Sequence, residues 1–263
     1  MKTEILYGTH SVKEALAAGR RQVVEICVDS SLIASGRLQA ILSLAAARRI
    51  GLREMNPGQI TSLAGTSAHQ GVAARASVYS GHNLSDVLNA AGRPALGLLL
   101  ALDQIVDPHN LGAVLRTALC AGVEAVLVPK DRSAPPTPAV SRISAGALEH
   151  IRLVQVTNLV RALEMLKGRG LWVVGLDRSA ADSLFSADFN LNLVLVVGGE
   201  GRGMRPLVRR ACDLLVSIPQ VGPLDSLNAS VAAGIALFEI SRQRGGPHRR
   251  DPDDFPDERH KTP

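Results

Sequence analysis

From residue 95 onward, long apolar runs alternate with amphipathic stretches. ALGLLLAL (95–102), AVLVP (125–129), LWVVGLD (171–177), LNLVLVVGG (191–199) and DLLVSIP (213–219) are continuous rather than alternating. A strand reads this way when helices cover both faces of its sheet, so these runs predict a parallel α/β sheet. The first eighty residues are patterned differently. THSVKEALAAG predicts a helix with Thr9 or Ser11 as its cap and Gly19 as its stop. VVEICVD predicts a strand, RLQAILSLAAARRI an amphipathic helix, and GVAARASV a last strand. Residues 81–94 are polar and flanked by Gly and Pro, which predicts a linker holding a short helix. Residues 246–263 combine Pro, Gly and charge with almost nothing to bury, so a disordered tail is expected. The organisation expected is a small α/β module over 1–80, the linker, a parallel-sheet domain over 95–245, and the tail.

Charge and composition narrow the partners. The chain carries a formal charge of +5, and residues 1–80 alone hold nine Lys and Arg against five Asp and Glu, a net of +4. A basic α/β module suits nucleic acid, although a merely solvated basic face has the same composition. Aromatic residues make up only 3% of the chain, too few for a platform that stacks single-stranded bases. Backbone and shape contacts to nucleic acid are therefore expected. Cys27, Cys120 and Cys212 lie far apart without CxxC or Cys/His spacing, so no disulfide or metal site is expected. The N-terminus lacks a signal-peptide core, and no apolar run reaches 18 residues. A soluble cytoplasmic protein with no membrane partner is expected.

Three loops that follow predicted parallel strands carry the candidate chemistry, in the position where α/β sheets place their ligands. In DPHNLGAVLRTALC, Asp107 and Pro108 suit the cap and first turn of a helix. Leu111, Val114, Leu115, Ala118 and Leu119 have the spacing of a buried stripe, and Arg116 points away from it. Asn110 sits in the first turn beside free N–H groups; His109 is expected to be a structural polar residue. VVGGEGRGM (196–204) places Gly198, Gly199, Gly201 and Gly203 around Glu200. It is neither a P-loop nor a dinucleotide fingerprint, and Glu200 suits a positive centre or hydroxyl donors better than phosphate. The acid expected about twenty residues beyond a dinucleotide fingerprint is absent near Gln220, which excludes that class. In SIPQVGPLDSLNASVAAGIALFE, a helix is expected to open near Ser226 with Leu227, Val231, Ile235 and Phe238 as its buried stripe. Ser226, Asn228 and Ser230 crowd its entrance, where capping needs one side chain, and its many small residues permit close packing on another element or subunit.

DPHNLGAVLRTA, LVVGGEGRGM and SIPQVGPLDSLNASVAAGIALFE together resemble the three motifs of the SpoU (TrmH) family of RNA 2′-O-ribose methyltransferases, over about residues 95–244. LYGTHSVKEAL resembles the opening of the L30e-like substrate-binding domain in the branch that methylates a guanosine 2′-hydroxyl of 23S rRNA. Gln104, Val106 and Pro223-Leu224-Asp225 depart from the usual motif residues and bear on loop shape. The resemblance implies a trefoil-knotted domain, an exception to unknotted chains, with an S-adenosylmethionine pocket and a homodimer formed through it. It implies cofactor contacts at Gly198, Ile218 and Leu227, and a catalytic set of Asn110, Arg116, Glu200, Ser226 and Asn228. A guanidinium does not deprotonate in proteins. Arg116 is therefore expected to hold phosphate and lower the hydroxyl pKa electrostatically, with Glu200 as proton acceptor or orienter. Asn110, Ser226 and Asn228 are expected to position ribose and loops. The alternatives are a tRNA 2′-O-methyltransferase, against which the L30e-like module tells, and a non-catalytic RNA-binding assembly factor that kept the fold, against which the intact Asn110, Arg116, Glu200 and Asn228 set tells.

Overall fold

The computed structural model describes residues 1–33, 36–90, 97–201, 203–223 and 226–245. Its first sheet is built by β1 (Thr3–Tyr7), β2 (Val23–Asp29), β3 (Gly51–Met55) and β4 (Val72–Ser77), in the order β1-β4-β2-β3. The helices α1 (Thr9–Ala18), α2 (Ser30–Ile33), α3 (Gln39–Ala47) and α4 (Pro57–Ala64) connect them. Only β2 and β3 run parallel. The edge strands β1 and β3 escape the sequence pattern for a physical reason. GLREM is exposed along all but its last residue, so it carries no apolar alternation. α1 also departs from expectation. Gly8, with φ 91°, occupies the cap position and neither predicted side chain caps the helix. Thr9 instead bonds Gln70 Oε1, while Ser11 is buried and bonds Ser141 Oγ at 2.8 Å. Gly19 stops the helix in the left-handed region at φ 65°, as expected.

α5 (Leu84–Ala90) is the short helix in the connecting segment; residues 91–94 and 246–263 lie outside the described residues. Then follow β5 (Leu98–Asp103), α6 (Pro108–Cys120), β6 (Ala125–Pro129), α7 (Pro138–Ile143), β7 (Arg152–Val156), α8 (Leu159–Lys167) and β8 (Trp172–Leu176). The chain continues through β9 (Asp182–Ser183), β10 (Leu193–Gly198), α9 (Pro206–Arg210), β11 (Leu214–Ser217) and α10 (Ala229–Gln243). The second sheet runs β7-β6-β5-β10-β8-β11-β9 with every pairing parallel. Its central strands explain the continuous apolar runs. Leu98, Leu100 and Leu102 enter the core under α6 and α10, whereas Leu99 and Ala101 enter the core under α8 and α9. Both faces are dry, and each buried Leu or Val side chain contributes roughly 1.5–3 kcal/mol.

Of the predicted stripe Ile235 packs partly buried against the core, whereas Val231 and Phe238 of α10 and Leu227 ahead of it face outward. Val231 and Phe238 are each 50% exposed and Leu227 is 37% exposed, while Ala229, Ala233, Ala236, Leu237 and Ile240 are buried. The small face turns inward because α10 lies close against α6, where Gly234 approaches Thr117. Only small side chains allow that separation, and size alone mispredicts the buried face. Leu119 of α6, expected in the core, is likewise exposed at 37%, while Leu111, Val114, Leu115 and Ala118 are buried as expected.

Candidate active site

The glycines of the loop after β10 answer to different constraints. A Cβ on Gly198 would run into the backbone of Gly203 and Met204, because the loop doubles back on itself. Gly203 N–H donates to Gly199 O at 3.0 Å to close that return. A Cβ on Gly199 would meet the carbonyl of Gln104, in the loop after β5. Gly201 and Gly203 have φ of 78° and 63°, which side-chain-bearing residues rarely adopt. At the loop's exit, Arg205 donates from its backbone N–H and its Nε to the fully buried Asp103 at 2.7 and 2.8 Å. Nη2 of the same arginine completes the ion pair at 2.7 Å. Asp103 ends β5, so the glycine loop is tied to the neighbouring strand at both ends. The sequence carried a signal for this anchor: a single carboxylate closing an otherwise apolar strand.

That geometry sets Glu200 at the tip, facing the starts of α6 and α10. Asp107 caps α6 by accepting from His109 N–H, with Pro108 in the first turn, and this brings Asn110 to the helix entrance. Asn228 caps α10 through Oδ1, which accepts from the backbone N–H groups of Ser230 at 2.9 Å and Val231 at 3.3 Å. Because its oxygen is committed to the helix, its Nδ2 must point outward. Nδ2 donates to Asn110 Oδ1 at 3.0 Å and to Glu200 Oε1. Asn110 Nδ2 donates to the same Glu200 oxygen at 3.1 Å and closes a triangle. Oε2 of Glu200 makes no hydrogen bond among the described residues.

Beside the triangle lies a cavity of about 270 Å³ at the carboxyl ends of β8, β10 and β11. Gly198, Glu200, Ile218, Ser226 and Leu227 all line it, so five of the eight predicted site residues share one wall. Asn110 and Asn228 join through Glu200. Arg116 stands apart: it is exposed on α6 and makes no hydrogen bond or ion pair among the described residues. Six positions beyond Asn110, it points about 120° away around the helix. Ser226 is exposed and does not cap; α10 begins at Ala229, later than expected.

Leu176 at the end of β8, Asp177 and Arg178 of the loop that follows, and Arg209 also line the cavity. They were missed, although GLDRS follows an apolar strand as the other three loops do. Burial acts to raise the Asp177 pKa, but hydrogen bonds from Ser179 and the Arg209 guanidinium outweigh it and hold the carboxyl below its ordinary range. Ser179 Oγ donates to Asp177 at 2.6 Å and Arg209 Nε at 2.5 Å. Among the described residues, no cluster of His, Cys, Asp or Glu could hold a metal ion.

A parallel sheet with a ligand cavity at its carboxyl edge, a steric glycine loop and a polar triangle at the mouth describes an α/β group-transfer enzyme. The chain belongs to the SpoU rRNA Methylase family, whose description matches residues 97–238. Residues 5–80 match a second description, RNA 2′-O ribose methyltransferase substrate binding. The chain is 43% identical over 244 residues to the 23S rRNA (guanosine-2′-O-)-methyltransferase RlmB of Ralstonia nicotianae, covering 92% of this chain and 97% of that one. A crystal structure of an RNA 2′-O ribose methyltransferase superposes with a TM-score of 0.75 at 28% identity, covering 92% of this chain and 89% of that one. The SpoU methyltransferase AviRb from Streptomyces viridochromogenes, solved with AdoMet, shares the fold at a TM-score of 0.76 and 24% identity, covering 92% and 90%.

Proposed function

We propose that this protein methylates the ribose 2′-oxygen of a guanosine in 23S rRNA, with S-adenosylmethionine as methyl donor. The observation that carries the assignment is the triangle at the cavity mouth. Two amides hold one oxygen of Glu200 and leave the other available as an acceptor. The near full-length identity to an rRNA guanosine-2′-O-methyltransferase supports the substrate class.

The residues present fit the cofactor. Val197, Met204, Ile218, Leu227 and Ala229 offer an apolar wall for the adenine, and the glycine loop offers backbone groups to the ribose. The negative charge of Glu200 favours a sulfonium. When bound, S-adenosylmethionine supplies an activated methyl group. Glu200 Oε2 would receive the 2′-hydroxyl hydrogen bond and orient or accept its proton. Asn110 and Asn228 fix the carboxylate's direction, and Ser226 lies where it can orient the ribose. Arg116 works from the RNA side, holding a phosphate and stabilising negative charge on the 2′-oxygen.

The same proposal includes an RNA-binding module over residues 1–80, a linker over 81–94 and a methyltransferase domain over 95–245. It includes a trefoil knot, supported by the meeting of Val197, Gly203, Ile218 and Leu227, from two separate segments, around one cavity. Half-exposed Val231 and Phe238 on α10 support a homodimer through that domain. The protein then acts where rRNA is assembled, in the cytoplasm; no described helix is long and apolar enough to cross a membrane. The test is to map 2′-O-methyl groups in rRNA and tRNA from cells with and without the gene. One guanosine of 23S rRNA should lose its methyl group. Unchanged rRNA with a tRNA site lost would overturn the rRNA assignment.

A further inference from the structure

A buried charged and polar network crosses the contact between the two modules, beside the apolar packing of Tyr79 on the second core. Arg21, just beyond the end of α1, is 6% exposed, and Glu149, in the 3-10 turn Ala147–Glu149 after α7, is 1% exposed. Arg21 donates to Glu149 as a fork, Nε to Oε2 at 2.7 Å and Nη2 to Oε1 at 3.0 Å, while Nη1 holds Glu4. Ser141 of α7 donates to Glu149 Oε1 at 2.7 Å and meets Ser11 of α1 at 2.8 Å. Arg20 bonds the carbonyls of Glu149 and Ile151, at 3.2 and 3.1 Å. From the other side, Arg142 Nε reaches Ala68 O at 2.7 Å.

Adhesion alone does not need this arrangement. Burying an ion pair costs desolvation, and apolar residues of similar size often hold such a joint at least as well. A planar fork with every partner satisfied does something apolar contact does not: it admits one relative orientation. The joint also has a rigid path to the catalytic triangle. On its far side α7 packs against α6 at Gly112, where an added Cβ would come within 2.6 Å of Ile143 Cγ2. α6 is the helix whose entrance carries Asn110.

We propose that Arg21 and Glu149 are positioning residues for the methylation reaction, clamping residues 1–80 at one angle to α6 so that module and triangle engage a single RNA as one surface. The inference rests on the assignment of RNA binding to that module, and its test separates the two. Arg21→Ala alone would strand a buried carboxylate and threaten folding, so the informative variant is Arg21→Met with Glu149→Leu in the full chain. In it, Ser141 retains Ser11 and the partly exposed Glu4 can reach water. This variant should melt near the parent, bind S-adenosylmethionine equally in calorimetry and keep kcat at saturating rRNA. KM for rRNA should rise at least tenfold, methylation should spread to further nucleotides, and small-angle scattering should report a larger radius. Arg21→Lys, with the charge but not the fork, should fall between. An unchanged KM with a single product would overturn the clamp, and so would a parallel fall in kcat and cofactor affinity, which marks a role in the fold alone. Separately, Lys13→Glu with Arg53→Glu charges the module's exposed basic surface; unchanged KM there would refute RNA binding by the module instead.

Discussion

Asn228 performs two tasks with one amide, and Asn228→Asp separates them. The cap survives the change, because Asp and Asn rank alike as N-caps and a negative charge at a helix start adds roughly 0.3–1 kcal/mol. The triangle does not. Nδ2, which donates to Asn110 Oδ1 at 3.0 Å and to Glu200 Oε1, becomes a carboxylate oxygen facing two acceptors. A hydrogen bond to a charged group contributes about 1.5–3 kcal/mol. Two like charges about 4 Å apart near a protein surface repel by up to about 4 kcal/mol. If about 3 kcal/mol of this reaches the orientation of Glu200, methyl transfer slows on the order of 10²-fold, at 1.36 kcal/mol per decade. Asn228→Ala loses both tasks, with about 1 kcal/mol for the cap and a fall of about 2–4 °C in Tm. The assay pairs thermal melting with single-turnover transfer of labelled methyl to rRNA. Repulsion from Glu200 should lower the melt of Asn228→Asp in the native sequence, whereas in a Glu200→Gln background, where that charge is gone, the same change should melt at or slightly above its own parent; Asn228→Asp should be nearly inactive. A parental rate would show that Glu200 needs no amide to hold it; a melt in the Glu200→Gln background as low as that of Asn228→Ala there would show that Oδ1 does not cap α10.

Gly199→Ala should abolish measurable S-adenosylmethionine binding in calorimetry, since its methyl would displace the Gln104 carbonyl. Gly201→Ala, in open space at φ 78°, should cost only about 1–2 kcal/mol in a denaturation curve. Arg116→Ala should bind the cofactor like the parent in the same titration yet lose methyl transfer on the order of 10²-fold, with Arg116→Lys recovering part of it. Burial pushes the Cys212 thiol up to about 12 and raises that of Cys27 as well, so at pH 8 both stay protonated, below their raised pKa values. Iodoacetamide at pH 8 should therefore label exposed Cys120 in the native protein and spare the other two until unfolding, as read by mass spectrometry. Affinity for rRNA should fall steeply between low and moderate salt in a filter-binding series; a flat salt dependence would exclude phosphate-driven binding.

Much of this protein is legible along the chain, because some constraints are local. A strand buried on both faces is apolar over a continuous run, so β5, β6 and β10, and with half-exposed ends β8 and β11, announce a parallel sheet before any contact is known. Gly19 at a left-handed helix end and Asp107 at a helix start follow from backbone geometry within a few residues. The loops were legible too, since ligands collect at the carboxyl ends of such strands. What stayed hidden depends on partners distant in sequence. α10 buries alanines and exposes Val231 and Phe238 because α6 lies a short distance away, and no periodicity within α10 encodes that separation. Arg21 reads as one more surface charge until Glu149, 128 residues later, closes around it. Gly199 needs no side chain because Gln104, on another loop, occupies the space. The direction of the Asn228 amide, and with it the free oxygen of Glu200, is likewise an agreement among three loops. Apolar patterning reports whether a position leaves water; which group it then meets is a property of the folded chain, where hydrogen-bond geometry and excluded volume act between residues that sequence separates.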